Sequence, residues 1–397
     1  MRILNVIMSL DPIDGGGSVE RIYQLSRHLA IAGEDCTILT TRQGWNEVHA
    51  RGLGAVKVVA LSYVSERFKI PIGLFAWLRK HLKEYDVVHL AMNWTVITAI
   101  TYLYLRLHRR PYVYSAMGWV VIDGRSRILK KVYRAIFTRP MARAAECCIA
   151  ITRREVVDYM RLGIDPSRIA LIPNGIGPDA FDTESDQPDL FRRRHGIGSQ
   201  PFIMFIGRLN PIKGPDLLIG AFARIAARFP EYRLVIAGNN YGFLDELKGL
   251  ARHQQLEERI IFLGPIFGSE KRSAYRSAAL FVIPSRFDTM TIVALEAAAA
   301  GAPILLTEQC DFPEIQEANG GLAVDASVGG LAAGLHRLLS RPSELEAMGK
   351  RARAFVAREY RWEYVSRQFL DVFRQAVAAA RDGVVQEDPG RTSRTHE

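Results

Sequence analysis

Short runs of consecutive apolar residues alternate along the chain with longer segments in which apolar residues recur at helical spacing. Runs that are apolar throughout are typical of strands buried on both faces, as in a parallel sheet covered by helices. The first half of the chain therefore predicts alternating strands and helices. The predicted strands lie at 3–8, 36–41, 56–61, 86–90, 112–115, 147–151 and 168–172, and the predicted helices at about 71–84, 93–108, 126–145 and 153–162.

The same alternation begins again in the second half, with apolar runs at 202–206, 233–237, 260–263, 280–283 and 303–306. Between the two series, residues 179–200 are polar and charged, which is typical of a linker. We therefore expect two α/β domains that meet near residue 185. The predicted organisation is a domain at 1–185, a domain at 186–360, a C-terminal helix at 361–381 and a disordered tail at 382–397.

Residues 284–303 concentrate candidate chemistry just after a predicted strand. Pro284 ends the strand, Asp288 and Thr289 can start a helix, and Gly301 with Pro303 ends that helix. The start of a helix presents backbone N–H groups and a partial positive charge, which suit an anionic ligand. The stretch therefore predicts a binding site for an anion such as a phosphate.

Two carboxylates occupy this stretch, Asp288 before the helix and Glu296 within it. A purely structural interpretation makes Asp288 the N-cap and Glu296 a solvated helix residue. Against it, Glu296 is the one charged residue between Thr289 and Pro303, in a segment otherwise apolar or small. A lone charge on a helix that is expected to be covered favours a functional role.

A second candidate follows the strand at 202–206, where Arg208 and Lys213 lie between Gly207 and Gly214. Two cations at the carboxyl end of a strand can neutralise a diphosphate leaving group as its charge develops. Surface cations are more often simply solvated. Together with the downstream acids, however, the pair favours a phosphate-handling site.

The first predicted strand leads into a glycine loop that includes Gly16 and Gly17, followed by a helix from Val19 with Ser18 as its expected N-cap. Such a loop lets backbone amides approach a phosphate, although an ordinary tight turn explains the glycines equally well. The spacing does not match a GxGxxG dinucleotide motif, which disfavours a Rossmann dehydrogenase. His89, at the end of another strand, is predicted to be a hydrogen-bonded structural histidine.

Composition and charge narrow the class of protein. The chain has 397 residues, of which 48% are hydrophobic and 24% charged, as expected of a soluble protein with two cores. Its four cysteines lack metal-ligand spacing, so no metal site is expected. The first residues are interpreted as a strand and not as a signal peptide, so a cytoplasmic location is expected.

The formal net charge of +10 predicts anionic partners. A block at 125–143 interleaves cations with aliphatic and aromatic residues, as in helices that lie at a membrane interface. An ordinary amphipathic helix with a basic outer face fits this pattern equally well.

Taken together, these motifs resemble the retaining glycosyltransferases of family 4. The resemblance rests on acid-X7-acid from Asp288 to Glu296 followed by AAAAGAP, on the Arg208 and Lys213 motif, on Pro173-Asn174-Gly175, and on the glycine pair Gly16 and Gly17. It extends to about residue 380. The chain departs from the family in having Asp288 where glutamate is usual and Met117 where many relatives carry histidine or arginine.

The resemblance implies a GT-B fold, in which two Rossmann-like parallel-sheet domains face each other across a cleft and the C-terminal helix returns to the first domain. It also implies transfer of a hexosyl group from a nucleotide-sugar, with retention of configuration and without a metal or other cofactor. Arg208, Lys213 and Asp288 are the implied catalytic residues. The residues implied to bind the donor are Gly16, Gly17, Asn239, Thr289, Met290, Thr291 and Glu296.

The acceptor cannot be identified from these motifs alone. We expect a glycan or lipid-linked acceptor in bacterial envelope, lipopolysaccharide or exopolysaccharide synthesis, and a peripheral contact with the inner face of an anionic membrane, because of the block at 125–143. Nucleic acid is not expected as a partner. Two alternatives stay open, a GT-B sugar-nucleotide epimerase and a catalytically decayed GT-B partner subunit.

Overall fold

The computed structural model describes residues 1–11, 15–44, 46–118, 126–182 and 186–386. The chain divides into two compact units. Met1–Pro173 and the chain from Trp362 onward form the first unit, and Asn174–Arg361 forms the second. Each unit is built on a parallel sheet with helices packed against it, as the alternating pattern predicts.

The sheet of the first unit has seven strands, all in parallel pairs. The strands of this unit are β1 (Arg2–Val6), β2 (Asp35–Thr41), β3 (Lys57–Leu61), β4 (Tyr63–Val64), β5 (Ile70–Pro71), β6 (Val87–Ala91), β7 (Tyr112–Ser115), β8 (Cys147–Ala150) and β9 (Ile169–Leu171). Their order in the sheet is β3-β2-β1-β6-β7-β8-β9, and β4 and β5 form a separate antiparallel hairpin. The sequence missed this hairpin because each of its strands has only two residues.

Helices cover the first sheet and connect its strands. They are α1 (Gly16–Ile31), α2 (Glu47–Arg51), α3 (Leu74–His81), α4 (Val96–Leu107), α5 (Arg127–Tyr133), α6 (Arg139–Ala144) and α7 (Arg153–Arg161). A π-helical turn, Arg134–Thr138, joins α5 to α6. The basic apolar block therefore lies on one helical segment that contains a π-helical turn, with Ile128 and Ile136 81% and 58% exposed.

Helix α1 begins earlier than the sequence predicts. It starts at Gly16, after Gly15, and no side chain caps it, so the expected N-cap role of Ser18 is wrong. The physical reason is a backbone hydrogen bond just before the helix, in which the N–H of Gly15 donates to the carbonyl of Asp11 at 3.0 Å. This bond holds Gly15, three residues before Ser18, as the residue that precedes the helix.

The sheet of the second unit has six strands in the order β12-β11-β10-β13-β14-β15. The strands are β10 (Phe202–Ile206), β11 (Arg233–Ala237), β12 (Ile260–Gly264), β13 (Leu280–Ile283), β14 (Ile304–Thr307) and β15 (Gly321–Val324). The helices are α8 (Pro188–Arg194), α9 (Pro215–Ile225), α10 (Leu244–His253), α11 (Gly268–Ser277), α12 (Ile292–Ala299), α13 (Glu314–Glu317), α14 (Val328–Leu339) and α15 (Pro342–Glu359). Strand β15 was not predicted, because its short glycine-led sequence lacks a strong β pattern.

The C-terminal helix α16 (Trp362–Gln386) belongs to the first unit, where it packs on α1, β6 and β7. Its rings Phe369 and Phe373 lie 5.7 Å from the His89 ring. The helix continues to Gln386, beyond its expected end at 381, so the first residues of the expected disordered tail are helical. The remainder of that tail, 387–397, lies outside the described residues.

The chain passes between the units at Pro173/Asn174, whereas the sequence placed the boundary near residue 185. Two contacts hold the intervening residues in the second unit. The side-chain amide of Asn174 donates to the carbonyl of Met290 at 2.7 Å, and the N–H of Ile176 donates to the carbonyl of Tyr360 at 2.7 Å. The polar composition after residue 179 marks a surface segment of the second unit.

Candidate functional site

Strands β10 and β13 lie side by side at the point where the strand order of the second sheet changes direction. Ile203 pairs with Leu280 and Met204 with Phe281, so the carboxyl ends of the two strands lie at the same edge. In an open parallel sheet, ligands bind at this edge and at this reversal of strand order. The loops after β10 and β13 carry all three predicted catalytic residues.

The loop after β10 is held in a tight form. Pro211–Lys213 forms a single 3-10 turn, in which the N–H of Lys213 donates to Asn210 Oδ1 at 3.0 Å. Gly214 follows with a φ of 68°, and a Cβ atom there would lie 2.0 Å from the carbonyl oxygen of Pro284. Glycine is therefore required where this loop touches the loop after β13.

The contact between the two loops brings Lys213 and Asp288 together. The Lys213 ammonium donates to Asp288 Oδ2, and the two side chains are only 16% and 15% exposed. The other carboxylate oxygen, Oδ1, accepts from the N–H of Thr289 at 3.0 Å. Asp288 is therefore bound to its neighbours and does not cap α12, contrary to the structural interpretation of the sequence.

Backbone contacts position the segment before α12. The N–H groups of Asp288 and Met290 donate to the carbonyls of Gln309 and Cys310, each at 3.0 Å. Met290 is buried and has a φ of 42°, a left-handed conformation that is uncommon for a residue other than glycine. The carbonyl of Met290 accepts from Asn174, as described above, which helps to hold this conformation in place.

These contacts decide which backbone amides are available to a ligand. Of the three consecutive residues 289–291, which are among those assigned to the donor, Thr289 and Met290 use their N–H groups within the protein. No described residue accepts from the N–H of Thr291, and the first amides of α12, those of Ile292 and Val293, have no partner within the helix. The available donors are thus Thr291 and the first turn of α12.

Glu296 lies further along α12 and contacts α11. Its Oε2 atom accepts from the hydroxyl of Tyr275 at 2.9 Å and lies 2.6 Å from the ammonium of Lys271. The sequence missed these two residues, because a cation and an aromatic residue at helical spacing are usual on any amphipathic helix. No described residue donates to Oε1, which leaves one oxygen of Glu296 for a ligand.

The partners of Glu296 are themselves well fixed. Tyr275 is buried against the ring of Phe281, with ring centroids 4.9 Å apart. Burial, and next the charge of Glu296, raises the pKa of Tyr275 well above its ordinary value. The hydroxyl therefore stays protonated and remains a donor to Glu296.

Arg208 lies at the same edge but is exposed. Its guanidinium carbon lies 5.9 Å from the centre of the Tyr241 ring, and it forms no ion pair with any residue in the described ranges. The loop after β11 passes close by, since a Cβ atom on Gly238 would lie 1.7 Å from the carbonyl oxygen of Gly207. Asn239 follows, and its carbonyl accepts from the N–H of Leu209 at 2.9 Å. Arg208 and Asn239 are thus on neighbouring, interlocked loops.

The first unit holds the other assigned residues. Gly16 and Gly17 are exposed at the start of α1, and Gly16 has a φ of 59°.

His89 is fully buried between Asn5 and Ser115, with Nδ1 3.0 Å from Asn5 Oδ1 and Nε2 2.8 Å from Ser115 Oγ. Burial, and next the charge of Arg21, lowers the pKa of His89 to about 3, so the ring is neutral. The prediction of a structural histidine is confirmed.

A buried carboxylate lies beside the loop that contains Met117. Glu155 accepts from the N–H groups of Gly118 and Ile151, each at 2.7 Å. Burial raises the pKa of Glu155 to about 7, although both hydrogen bonds and the charge of Arg21 act in the opposite direction. Met117 itself is buried and has a φ of 57°. No sequence signal marked Glu155, because a glutamate in the first turn of a helix is common.

Two kinds of feature are absent from the part of the chain that the structure describes. No three His, Cys, Asp or Glu side chains converge there in a way that could ligate a metal ion. None of the helices in the same ranges combines the length and the apolar composition that a membrane crossing requires.

Comparison with known proteins assigns the class. Residues 16–175 match the family model described as Glycosyl transferase 4-like domain, and residues 187–355 match the model described as Glycosyl transferases group 1. The two matches follow one another along the chain, and each falls largely within one structural unit. With its two Rossmann-like units, the chain is a glycosyltransferase of the GT-B type, and family 4 fits both matches.

Individual relatives agree with this class. The D-inositol 3-phosphate glycosyltransferase of Corynebacterium glutamicum (strain R) is 27% identical over 95% of this chain and 97% of its own. Among solved structures, sucrose-phosphate synthase from Thermosynechococcus elongatus has a TM-score of 0.78 at 22% identity, covering 96% of this chain and 100% of its own. HepE from Anabaena, solved in complex with UDP and glucose, has a TM-score of 0.78 at 17% identity, covering 94% and 99%. The likeness to the two structures concerns the fold.

Proposed function

We propose that the chain transfers a hexosyl group from a nucleotide-sugar to a glycan or lipid-linked acceptor, with retention of configuration. The observation that carries this proposal is the pairing of Lys213 with Asp288 beside the free first turn of α12, with Arg208 at the same edge of the sheet. Cations and free amides next to a carboxylate suit a ligand that has a diphosphate at one end and a sugar at the other.

In this proposal Arg208 and Lys213 bind the diphosphate. Lys213 is held by Asp288, so its ammonium is already directed into the site, whereas Arg208 has no ion pair to break among the described residues. Arg208 and Lys213 would both bind the diphosphate more strongly as negative charge develops on it. Binding that is stronger in the transition state than in the ground state accelerates the reaction. The same proposal needs no metal, because these two cations take the role that a divalent ion would have.

The donor sugar and ribose are assigned to the acids and amides. Asp288 and the N–H of Thr291 are placed to orient sugar hydroxyls, since the amides of Thr289 and Met290 are engaged within the protein. Glu296 would accept from a ribose hydroxyl through Oε1. Asn239, and Gly16 and Gly17 of the first unit, are also assigned to the donor on the strength of the motif resemblance.

Retention requires that the acceptor attacks on the face from which the phosphate leaves. The bond between the anomeric carbon and the phosphate oxygen breaks, the bond to the acceptor oxygen forms, and the departing phosphate oxygen takes the acceptor proton. Met117, at the position where many relatives have histidine or arginine, cannot accept a proton. A proton acceptor on the donor itself fits this substitution.

The test of the donor site is calorimetric titration with UDP, GDP and ADP and with their common sugar conjugates. UDP is the first choice because HepE was solved with UDP. Lys213→Ala should lower the affinity for the preferred nucleotide by more than about tenfold, since an ion pair with a phosphate is lost. Lys248→Ala, an exposed lysine on α10, is the matched control. Asp288→Asn should keep nucleotide binding and lose transfer.

The outcome separates the proposal from its alternatives. If the chain converts the donor into its epimer in the absence of any acceptor, its activity is that of an epimerase and not of a transferase. Absence of binding to every nucleotide would indicate a decayed partner subunit. A product whose anomeric configuration, measured by NMR, is opposite to that of the donor would contradict retention.

We further propose a cytoplasmic enzyme of envelope or exopolysaccharide synthesis that contacts an anionic membrane through α5 and α6. Support comes from Ile128, Leu129, Val132 and Ile136, which are 81%, 48%, 49% and 58% exposed beside Lys131 and Arg134.

Sedimentation with anionic liposomes at low salt tests this contact. Lys131→Gln with Arg134→Gln should lower the bound fraction, because two cations near the lipid head groups are lost. Arg224→Gln with Arg228→Gln, two exposed arginines of the second unit, is the matched control and should not lower it. Equal binding of both pairs would contradict the membrane contact.

A further inference from the structure

A groove of about 720 Å³ opens on the surface of the first unit, between α3, the end of β5 and α4. The residues that line it are Pro71, Gly73, Leu74, Phe75, Ala76, Arg79, Ile100 and Leu103. Arg79 is the one charged residue in this lining, and the other side chains are hydrocarbon or aromatic. The size and the mainly apolar lining are those of pockets that take a small organic ligand.

The groove is preformed by the core beneath it. Leu74 is 2% exposed and anchors the start of α3, while the ring of Phe75 stands edge-on to Tyr104 of α4, with centroids 5.2 Å apart. Phe75 and Leu103 nevertheless leave 60% and 54% of their surface open. Two large apolar side chains that are left uncovered, one of them packed against Tyr104, favour an apolar occupant.

Charge indicates what the other end of the occupant carries. The guanidinium of Arg79 is exposed and forms no hydrogen bond or ion pair with any described residue, and Lys80 follows it. No acid lines the groove. Residues 66–146 contain 15 Lys and Arg against 5 Asp and Glu, a net of +10. The part of the chain that includes α3 and α4 is thus net basic, which suits an anion near Arg79.

We propose that this groove binds the hydrocarbon chain of an amphiphile whose phosphate group lies at Arg79. The inference rests on the proposed function in one respect, because it takes the amphiphile to be the lipid part of the acceptor. An apolar groove with one cation in its lining matches a molecule that has a single hydrocarbon chain and a phosphate group. A second protein copy would have to bring its own acid to Arg79 and cover Phe75 and Leu103 together.

The first experiment uses single-chain alkyl phosphates of six, eight and ten carbons, each below its critical micelle concentration, titrated into the full chain by calorimetry. Affinity should rise by about fourfold for each methylene added, as for any apolar group buried from water. Inorganic phosphate and decanol are the two further arms. Each should bind at least about tenfold more weakly than decyl phosphate, since each lacks one of the two contacts.

Variants locate the site. Phe75→Ser with Leu103→Gln should weaken decyl phosphate by more than about tenfold and flatten the dependence on chain length. Arg79→Gln should bring its affinity to that of decanol and keep the dependence on chain length. Val157→Gln with Met160→Gln, two exposed apolar residues of α7, is the matched control and should change neither. A photoreactive decyl phosphate should label peptides of α3 or α4.

Three results would overturn the proposal. The first is an affinity that does not depend on chain length. The second is labelling confined to α5 and α6, which would assign the lipid to a membrane-facing surface. The third is a dimer at working concentration that Leu103→Gln dissociates, which would make the groove an interface between copies. Nucleotide binding is measured in parallel, so failure of the donor site and failure of the groove are separate results.

Discussion

At the scale of single residues, Glu296 shows how a candidate ligand-binding carboxylate can be partly bound by side chains of its own protein. Its Oε2 atom is bound by Tyr275 and Lys271, and only Oε1 is left without a donor from the described residues. A ligand hydroxyl would therefore meet a carboxylate whose position and charge are already set by α11. Tyr275 and Lys271 are positioning residues for Glu296.

This arrangement predicts separate effects of the two partners. Tyr275→Phe keeps the ring against Phe281 but removes one hydrogen bond to a charged group, so nucleotide affinity should fall by about fivefold. Lys271→Met should tighten or leave unchanged the binding of the uncharged ribose end, because the Glu296 carboxylate loses its counterion but keeps its hydrogen bond from Tyr275.

The measurement is calorimetry with the preferred nucleotide and with its 2′-deoxy and 3′-deoxy analogues. Preference for the ribose form should shrink in Tyr275→Phe, while the melting temperature changes little. A loss of affinity that is the same for all three nucleotides would contradict a positioning role. Glu296→Gln should show the smallest preference for the ribose nucleotide over its deoxy analogues and serves as the lower limit.

His89 predicts a pH dependence of the first unit. Its pKa is lowered to about 3 in the folded chain, so the unfolded state binds the extra proton between about pH 6.5 and 3. The stabilisation that follows from neutral His89 is therefore fully present above pH 6.5 and is lost as the pH falls toward 3. The contribution is about 1.4 kcal/mol for each pH unit in this window.

Hydrogen exchange of β6 amides at pH 7 and pH 4.5 measures this contribution. His89→Asn should reduce the loss of protection on acidification, although it lowers stability at pH 7. His108→Gln, an exposed histidine of the same unit, is the control and should leave the acid dependence as in the wild type. If the wild type, His89→Asn and His108→Gln lost the same amount of protection between pH 7 and pH 4.5, the assignment to His89 would be contradicted.

At the scale of elements, the second unit joins its loops by bringing backbone against backbone. Gly214 lies against Pro284, and Gly238, with a φ of 149°, lies against Gly207. Neither contact leaves room for a Cβ atom. The positions of Arg208, Lys213 and Asp288 therefore depend on glycines that carry no chemistry of their own.

Gly238→Ala should consequently destabilise the second unit by more than about 2 kcal/mol, because neither the conformation nor the space suits alanine. Gly249→Ala is the matched control. Gly249 lies inside α10 with nothing within 4 Å of its missing Cβ, so alanine there should stabilise by about 0.5 to 1 kcal/mol. Urea unfolding of both variants measures the difference, and equal stability would contradict the argument.

The elements also show what the sequence can predict. Strands such as β1 and β10 are buried on both faces, and their continuous apolar runs identify them directly. The three catalytic candidates follow from motif spacing, because the ends of adjacent parallel strands are forced together. The partners of Glu296 and the carbonyls of Gln309 and Cys310 come from elsewhere in the chain. No local pattern marks them, since their contacts arise only when the helices and loops pack.

At the scale of the whole molecule, the first unit is discontinuous in sequence and the second is continuous. Helix α16 supplies Phe369 and Phe373, both fully buried, to the first unit, where they cover His89. The last helix is thus part of the first core.

Phe373→Ala should therefore destabilise the first unit by about 3 to 5 kcal/mol, the usual effect of emptying a buried phenylalanine site. The second unit should keep its nucleotide affinity. Tyr364→Ala, an exposed aromatic residue on the same helix, is the control and should have little effect. Hydrogen exchange resolved by unit provides the measurement, and loss of protection in the second unit alone would contradict the assignment of α16.

The return of α16 also sets an order of events during synthesis. A ribosome that has completed Pro173 must translate the whole second unit before Trp362 emerges. At 5 to 20 residues per second this takes on the order of 10 to 40 seconds. Throughout that interval the face of β6 and β7 that α16 will cover is open to water or to a chaperone. The nascent second unit, which is continuous in sequence, can be folded first, so the enzyme is completed in the reverse of its reading order.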